Sequence, residues 1–250
     1  MNIDISTLLE HWDYQPGQVV VRKFTAKDGS EKLQLRVDLG ILQMNLTGRP
    51  DGKRPRGHES WFLYYKSQAE HNQAGDGGES KFKLKPEDVA RLQQEAIQYH
   101  HRYICLYQLE DFDGVDRDTA RNLQVFDFAS EFAASGELAW SLQQFRPQLL
   151  LMRYRALGTK LLREPNHEKA AGLIEEGIEQ LRSFYREHER PELIEHSGEI
   201  TSLELWLNDI RSKRPLSERE KLEIALNEAV AAEDYEKAAR VRDALKKLQA

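Results

Sequence analysis

From Lys85 onward the chain repeats its apolar residues at helical spacing, and this commits most of its length to helices. Behind Pro86, a residue suited to a helix start because its missing N–H would have had no intrahelical partner, Val89, Leu92, Ala96, Tyr99, Tyr103, Leu106 and Leu109 form one stripe. The same period recurs over Leu123–Ala134, Leu138–Phe145, Leu149–Leu162, Asn166 through Tyr185, and Pro191–Arg211, the last carrying Leu193, Ile200, Leu203, Leu205 and Leu207. His100 and His101 are neighbours on a helix, so they point in different directions and cannot form an i,i+4 metal pair. The acidic run Glu110–Asp118 reads as a loop, with Arg117 and Arg121 capping the next helix. It fails the calcium-loop pattern because its Gly is misplaced and no Glu closes it.

One β region precedes the helices. Ile3–Glu10 reads as a short helix, and Trp12, Tyr14 and Pro16-Gly17 mark a turn. Val19, Val21 and the run to Thr25 lead into Lys27-Asp28-Gly29, a hairpin signal. Leu33, Leu35, Val37 and Leu39 alternate with Gln34, Arg36 and Asp38, which predicts one buried face. Ile41, Leu42, Met44 and Leu46 predict a third strand, giving an antiparallel meander. Thr47–His58 is rich in Gly and Pro and reads as a structured loop. Its Arg49, Lys53, Arg54 and Arg56 are candidate phosphate contacts, or else arginines that pair with carboxylates of the helical body. A phosphate-cradling P-loop is excluded because Gly-Lys-Ser/Thr is missing. Ser60–His71 reads as a helix whose Trp61, Phe62, Tyr64 and Tyr65 pack on the sheet, with a base-stacking platform as the alternative. Gln73–Ser80, with three glycines, is the candidate linker.

Composition narrows the class. Charged residues make up 31% and hydrophobic ones 40%, enough apolar content for the core of a soluble chain. The net charge of −6 argues against a surface devoted wholly to nucleic acid, though not against a local basic patch. A single cysteine, Cys105, allows no internal disulfide and no zinc ribbon. The opening residues lack the basic and apolar regions of a signal peptide, and no apolar run reaches membrane-spanning length. The expected location is therefore the cytoplasm, with no cofactor, no metal and no membrane partner.

The final segment, Pro215–Ala250, is a self-contained helical pattern. Ser217 and Glu220 form a candidate capping box. Leu222, Leu226, Ala229 and Val230 recur at helical spacing, and Asp234 can cap a second helix on which Ala238, Val241, Leu245 and Leu248 share a face. Folded back antiparallel, Ala229 meets Ala238, Leu226 meets Val241, and Leu222 meets Leu245. Glu236 with Arg240 and Asp243 with Lys247 are candidate outward ion pairs. A hairpin below about 40 residues seldom buries enough surface to stand alone, so its apolar face needs support from this chain, a second copy or another protein.

The string Asp234-Tyr235-Glu236-Lys237-Ala238-Ala239-Arg240-Val241-Arg242-Asp243, preceded by Leu226-Asn227-Glu228-Ala229-Val230, resembles the UVR motif, with Leu226 where many members have Met. That motif is a short helical hairpin of the excision-repair proteins UvrB and UvrC, found also in ClpC-type chaperones and McsA-type adaptors. The resemblance implies protein–protein contact, often between two such hairpins. The chain carries no Walker motif, no nuclease signature and no McsA-type cysteine pairs, which separates it from those proteins. Its remainder is similar to uncharacterised bacterial UVR-motif proteins, a resemblance that implies no activity.

These readings define an α+β protein, mostly α. Residues 1–73 form a β-meander plus helix, 81–214 a helical body, and 215–250 the helical hairpin. The expected function is a non-enzymatic adaptor or scaffold, acting in DNA repair or stress response. Leu222, Leu226, Ala229, Ala238, Val241 and Leu245 would form the hairpin core. Tyr235, Arg242 and Asp243 would face a protein partner, either another UVR-containing protein or a second copy. The alternatives are a nucleic-acid-binding accessory factor using the loop 49–56, and an enzyme with an unrecognised cleft.

Overall fold

A computed structural model describes residues 4–74, 82–164, 166–213 and 218–248. Of the expected linker Gln73–Ser80, Gln73 and Ala74 instead end the helix that begins at Trp61, while residues 75–80 and the Ser217–Glu220 capping box lie outside what is described. The chain divides into two compact units, Met1–Leu207 and Asn208–Ala250.

The first unit begins with a short helix, α1 (Ser6–Glu10), and an antiparallel sheet of β1 (Val20–Thr25), β2 (Glu31–Val37) and β3 (Gly40–Asn45) in the order β1-β2-β3. The register pairs Lys23 with Leu33 and Leu33 with Met44, so the two most buried sheet residues are cross-strand neighbours. The strict apolar alternation expected along β2 fails at its C-terminal end. Leu39 is 89% exposed, because it sits in the two-residue turn to β3. Arg36, expected on the polar face, is buried. Its guanidinium donates to the carbonyls of Trp12, Val37, Asp38 and Gly40 and lies over the Tyr14 ring. Arg22 stacks on Trp12 in the same way, so the N-terminal segment covers a sheet face that alternation alone would leave to water.

The helices follow as α2 (Trp61–Ala74), α3 (Pro86–Gln108), α4 (Phe112–Phe132), α5 (Gly136–Gln143), α6 (Arg146–Leu162), α7 (His167–Glu187) and α8 (Gly198–Lys213). Helix α2 packs on α3, and it is α3 that meets β2. Phe62 makes an edge contact with Phe128 of α4, so the α2 aromatics serve the helical core rather than the sheet.

Two expected boundaries are corrected. The acidic run is not a loop: Asp111 caps α4 by accepting from Gly114 N at 3.0 Å, and Phe112–Asp118 forms the first turns of the helix. The acidic residues there are dispersed by helical geometry. Asp116 pairs with Arg153 of α6 at 2.7 Å, Asp113 pairs with Lys160, and Asp118 turns inward. The helix expected from Pro191 instead starts at Gly198, where Ser197 Oγ accepts from Ile200 N. Pro191–Leu193 is a separate 3-10 turn, and Leu205 is exposed.

Helices α6 and α7 approach closely at glycines. A Cβ on Gly177 would lie 2.5 Å from the Tyr154 ring, and one on Gly158 would lie 2.7 Å from Trp206 of α8.

The second unit contains a hairpin, α9 (Glu218–Ala231) packed on α10 (Tyr235–Lys247). The reversal needs a left-handed residue, Glu233 at φ +57°, from which Asp234 N reaches back to Ala229 O at 2.9 Å.

Candidate functional site

Two places hold the candidate site residues, one in each unit: the basic loop with its support, and the hairpin surface.

The basic loop is built on a buried polar network that sequence reasoning missed. Arg102 of α3 is 1% exposed and grips Asp118 of α4 with two bonds of 2.7 and 2.8 Å. Its remaining nitrogen donates to Asn45 O and Gly48 O, which fixes the end of β3 and the start of the loop. Arg117 adds a bond to Asp118 and another to Leu46 O. Beside them Glu95 is fully buried. It accepts the Trp61 and Phe62 backbone N–H groups at the start of α2 and is ion-paired to Arg121. Arg121 in turn lies over the Tyr99 and Phe62 rings. Burial raises the pKa of the Tyr99 phenol, the effect outweighing the opposing pull of Arg121 and Arg102.

Arg49 belongs to this network. Its side chain is 9% exposed, 3.1 Å from Asp51 and 3.3 Å from Glu95, so it is spent on the body. Of the four candidate phosphate contacts, it is the one that pairs inward. Lys53, Arg54 and Arg56 are exposed, and Arg54 approaches Glu59 only at 3.9 Å. Loop bonds from Asn45 N to Pro50 O and from Lys53 N to Asp51 Oδ1 hold the backbone that presents them.

A sequence signal for the network existed. Glu95 and Arg102 fall on the stripe Leu92, Ala96, Tyr99, Leu106, and Asp118 and Asn122 fall on the stripe Val115, Leu123, Phe126. Charges at core-facing positions of two helices mark partners, because a buried charge without one is too costly to retain.

Other titratable groups are quieter. Burial pushes the Cys105 thiol up to about 12, which keeps it protonated and unreactive. Burial lowers both His100 and His101, with His101 adding repulsion at His100. Among the described residues no three His, Cys, Asp or Glu side chains are grouped to hold a metal ion.

In the hairpin, Asp234 accepts from Lys237 N at 3.0 Å and so caps α10. Ala229 and Ala238 are buried beside the turn, 2% and 8% exposed. Leu222, Leu226, Val241 and Leu245 are half-buried. Val230 and Leu248, which the helical period placed on the inner stripes, are 51% and 53% exposed: Val230 lies at the edge of the inward arc of α9, and Leu248 is the C-cap residue just beyond α10. Ile224 and Tyr235 are exposed as well, Tyr235 at 70%. Tyr235 and Arg242 stand two turns apart on one side of α10. Arg242 leans toward Asp243 at 3.3 Å; the expected Asp243–Lys247 pair lies outside what is described, because it rests on the Lys247 side chain. No ion pair joins Glu236 to Arg240 among the described residues.

The second unit thus contains a capped antiparallel hairpin closed by an alanine pair, with apolar side chains left in water. Residues 217–250, which cover that hairpin, match the family model described as the UvrB/uvrC motif, UVR. No curated protein and no solved structure matches the chain. No helix among the described residues is long and apolar enough to cross a membrane.

Proposed function

We propose that the protein is a non-enzymatic adaptor or scaffold that binds a partner protein through its UVR hairpin, in the setting of DNA repair or stress response, and that it works in the bacterial cytoplasm. The supporting observation is the matched motif folded as a hairpin with Ile224, Val230, Tyr235 and Leu248 exposed. Apolar side chains of this size exposed on so small a unit are a cost in water that association removes. The partner is another UVR-bearing protein or a second copy of the chain, docking against Tyr235, Arg242 and Asp243.

The test is a pull-down with the full chain, with a form ending at Arg214, and with the Tyr235→Ala, Arg242→Ala double variant. Partner recovery falls at least tenfold in the latter two. Equal recovery by all three removes the adaptor reading.

A second reading has its own support, the exposure of Lys53, Arg54 and Arg56 on a braced loop. Under that reading the loop contacts nucleic-acid phosphates. Arg54→Ala with Arg56→Ala then weakens DNA or RNA binding and flattens its salt dependence. Absence of wild-type binding at low salt ends it.

A further inference from the structure

Between α3, α4, α5 and α6 the first unit holds a cavity of about 210 Å3. Its walls are apolar: Ala96, Phe126, Leu142 and Leu149 are each no more than 6% exposed. Its rim carries Ile97 and Phe145, exposed to 48% and 45%, both large apolar side chains that a closed core would have covered.

The polar groups at the cavity differ in what they have left to offer. Asn122 is spent, since its amide donates to Ala96 O at 3.0 Å and accepts from Arg121. His100 uses Nδ1 on the Tyr103 hydroxyl at 2.6 Å, which leaves Nε2. The Gln93 and Gln148 amides have no protein partner among the described residues. No Lys, Arg, Asp or Glu lines the cavity, and burial holds His100 below its ordinary pKa and so neutral at pH 7.

We propose that this cavity binds a small uncharged heteroaromatic molecule, a flat ring system whose face packs between the apolar walls and whose edge nitrogen or oxygen meets His100 Nε2 or a glutamine amide. Size and charge select that class. A dry cavity near 150 Å3 accommodates benzene, so about 210 Å3 suits a fused ring of roughly nine heavy atoms and is smaller than the cavities that take drug-sized ligands. Without a cationic wall, a phosphate or carboxylate would lose its hydration with nothing in return, which excludes nucleotides from this cavity. The site is separate from the hairpin and does not depend on the adaptor reading.

Indole and benzimidazole, titrated into the full chain by calorimetry and ligand-detected NMR, test it. Saturable one-site binding with Kd of about 1 mM or tighter is expected, with the indole-3-acetate anion at least tenfold weaker. Ala96→Leu, which fills the cavity, and Ile97→Trp, which closes the rim from a half-exposed position that the core does not depend on, each weaken indole at least tenfold. Circular dichroism checks the fold of both, and Ile97→Trp decides the matter where Ala96→Leu does not fold. No saturable binding of either probe to 5 mM, or indole binding that Ile97→Trp leaves unchanged, overturns the proposal.

Discussion

The two units use charge and apolar surface in opposite ways. In Met1–Leu207, charged groups are taken inside: Arg102, Asp118 and Glu95 are at most 1% exposed and bind three helices and a loop together. In the α9–α10 hairpin the charges are outside, only two alanines are buried among the described residues, and leucines are half in water. A large core can pay the desolvation of ion pairs and gain a fixed geometry. A 30-residue hairpin cannot, so it relies on caps and close backbone approach and leaves apolar surface for something else to cover.

The sharpest way to break this contrast is Asp118→Ala. It strands Arg102 in the core and should lower stability by about 3–5 kcal/mol in denaturant melts. Arg102→Met combined with Asp118→Leu should recover part of that loss, since no lone charge remains. If Asp118→Ala is silent, the network is not what holds the body together.

Close helix approach in the body makes the next effect. Gly177→Ala should destabilise by about 1–3 kcal/mol, because the added methyl meets the Tyr154 ring. Gly172→Ala, on the same helix with open space around it, should instead stabilise by up to about 1 kcal/mol through helix propensity. Opposite signs in paired thermal melts are the outcome to look for.

In the hairpin, Leu226→Ala should cost about 1–2 kcal/mol, less than a fully buried leucine because the side chain is half in water. Hydrogen exchange should show the loss in 218–248 alone. A chain ending at Lys213 should keep the body's melting transition, as that unit holds its own core. Unfolding of the truncated chain would make the hairpin part of that core and remove the contrast.

The smallest effect is on pH. Burial depresses His100 and His101, so the folded state binds fewer protons than the unfolded state between their lowered values and 6.5. Their contribution is fully present above pH 6.5 and is lost as pH falls through the folded values. The melting temperature should drop from pH 7 to 5.5, and should drop less in His100→Gln, His101→Gln.

The sequence by itself determined the elements that local chemistry specifies. The Asp28-Gly29 turn, the Pro86 helix start, the Asp234 cap and the long apolar stripes all rest on neighbours within a few residues, and the motif in 217–250 is a contiguous string. Most of what it misplaced depended on distant partners. Arg36 looked like a surface residue until Trp12 and Tyr14 folded over it; Glu110–Asp118 is the local exception, a run of acids that hid the Asp111 cap on Gly114 three residues on. Val230 and Leu248 satisfied the helical period, but one fell at the edge of the packed face of α9 and the other just past the end of α10. Only the tertiary structure decided that Arg49 faces inward while Lys53, Arg54 and Arg56 do not, and that Glu95, Arg102 and Asp118 meet. The cost of burying a charge is settled by atoms tens of residues away, and periodicity records which side of a helix a residue occupies but not what waits on that side.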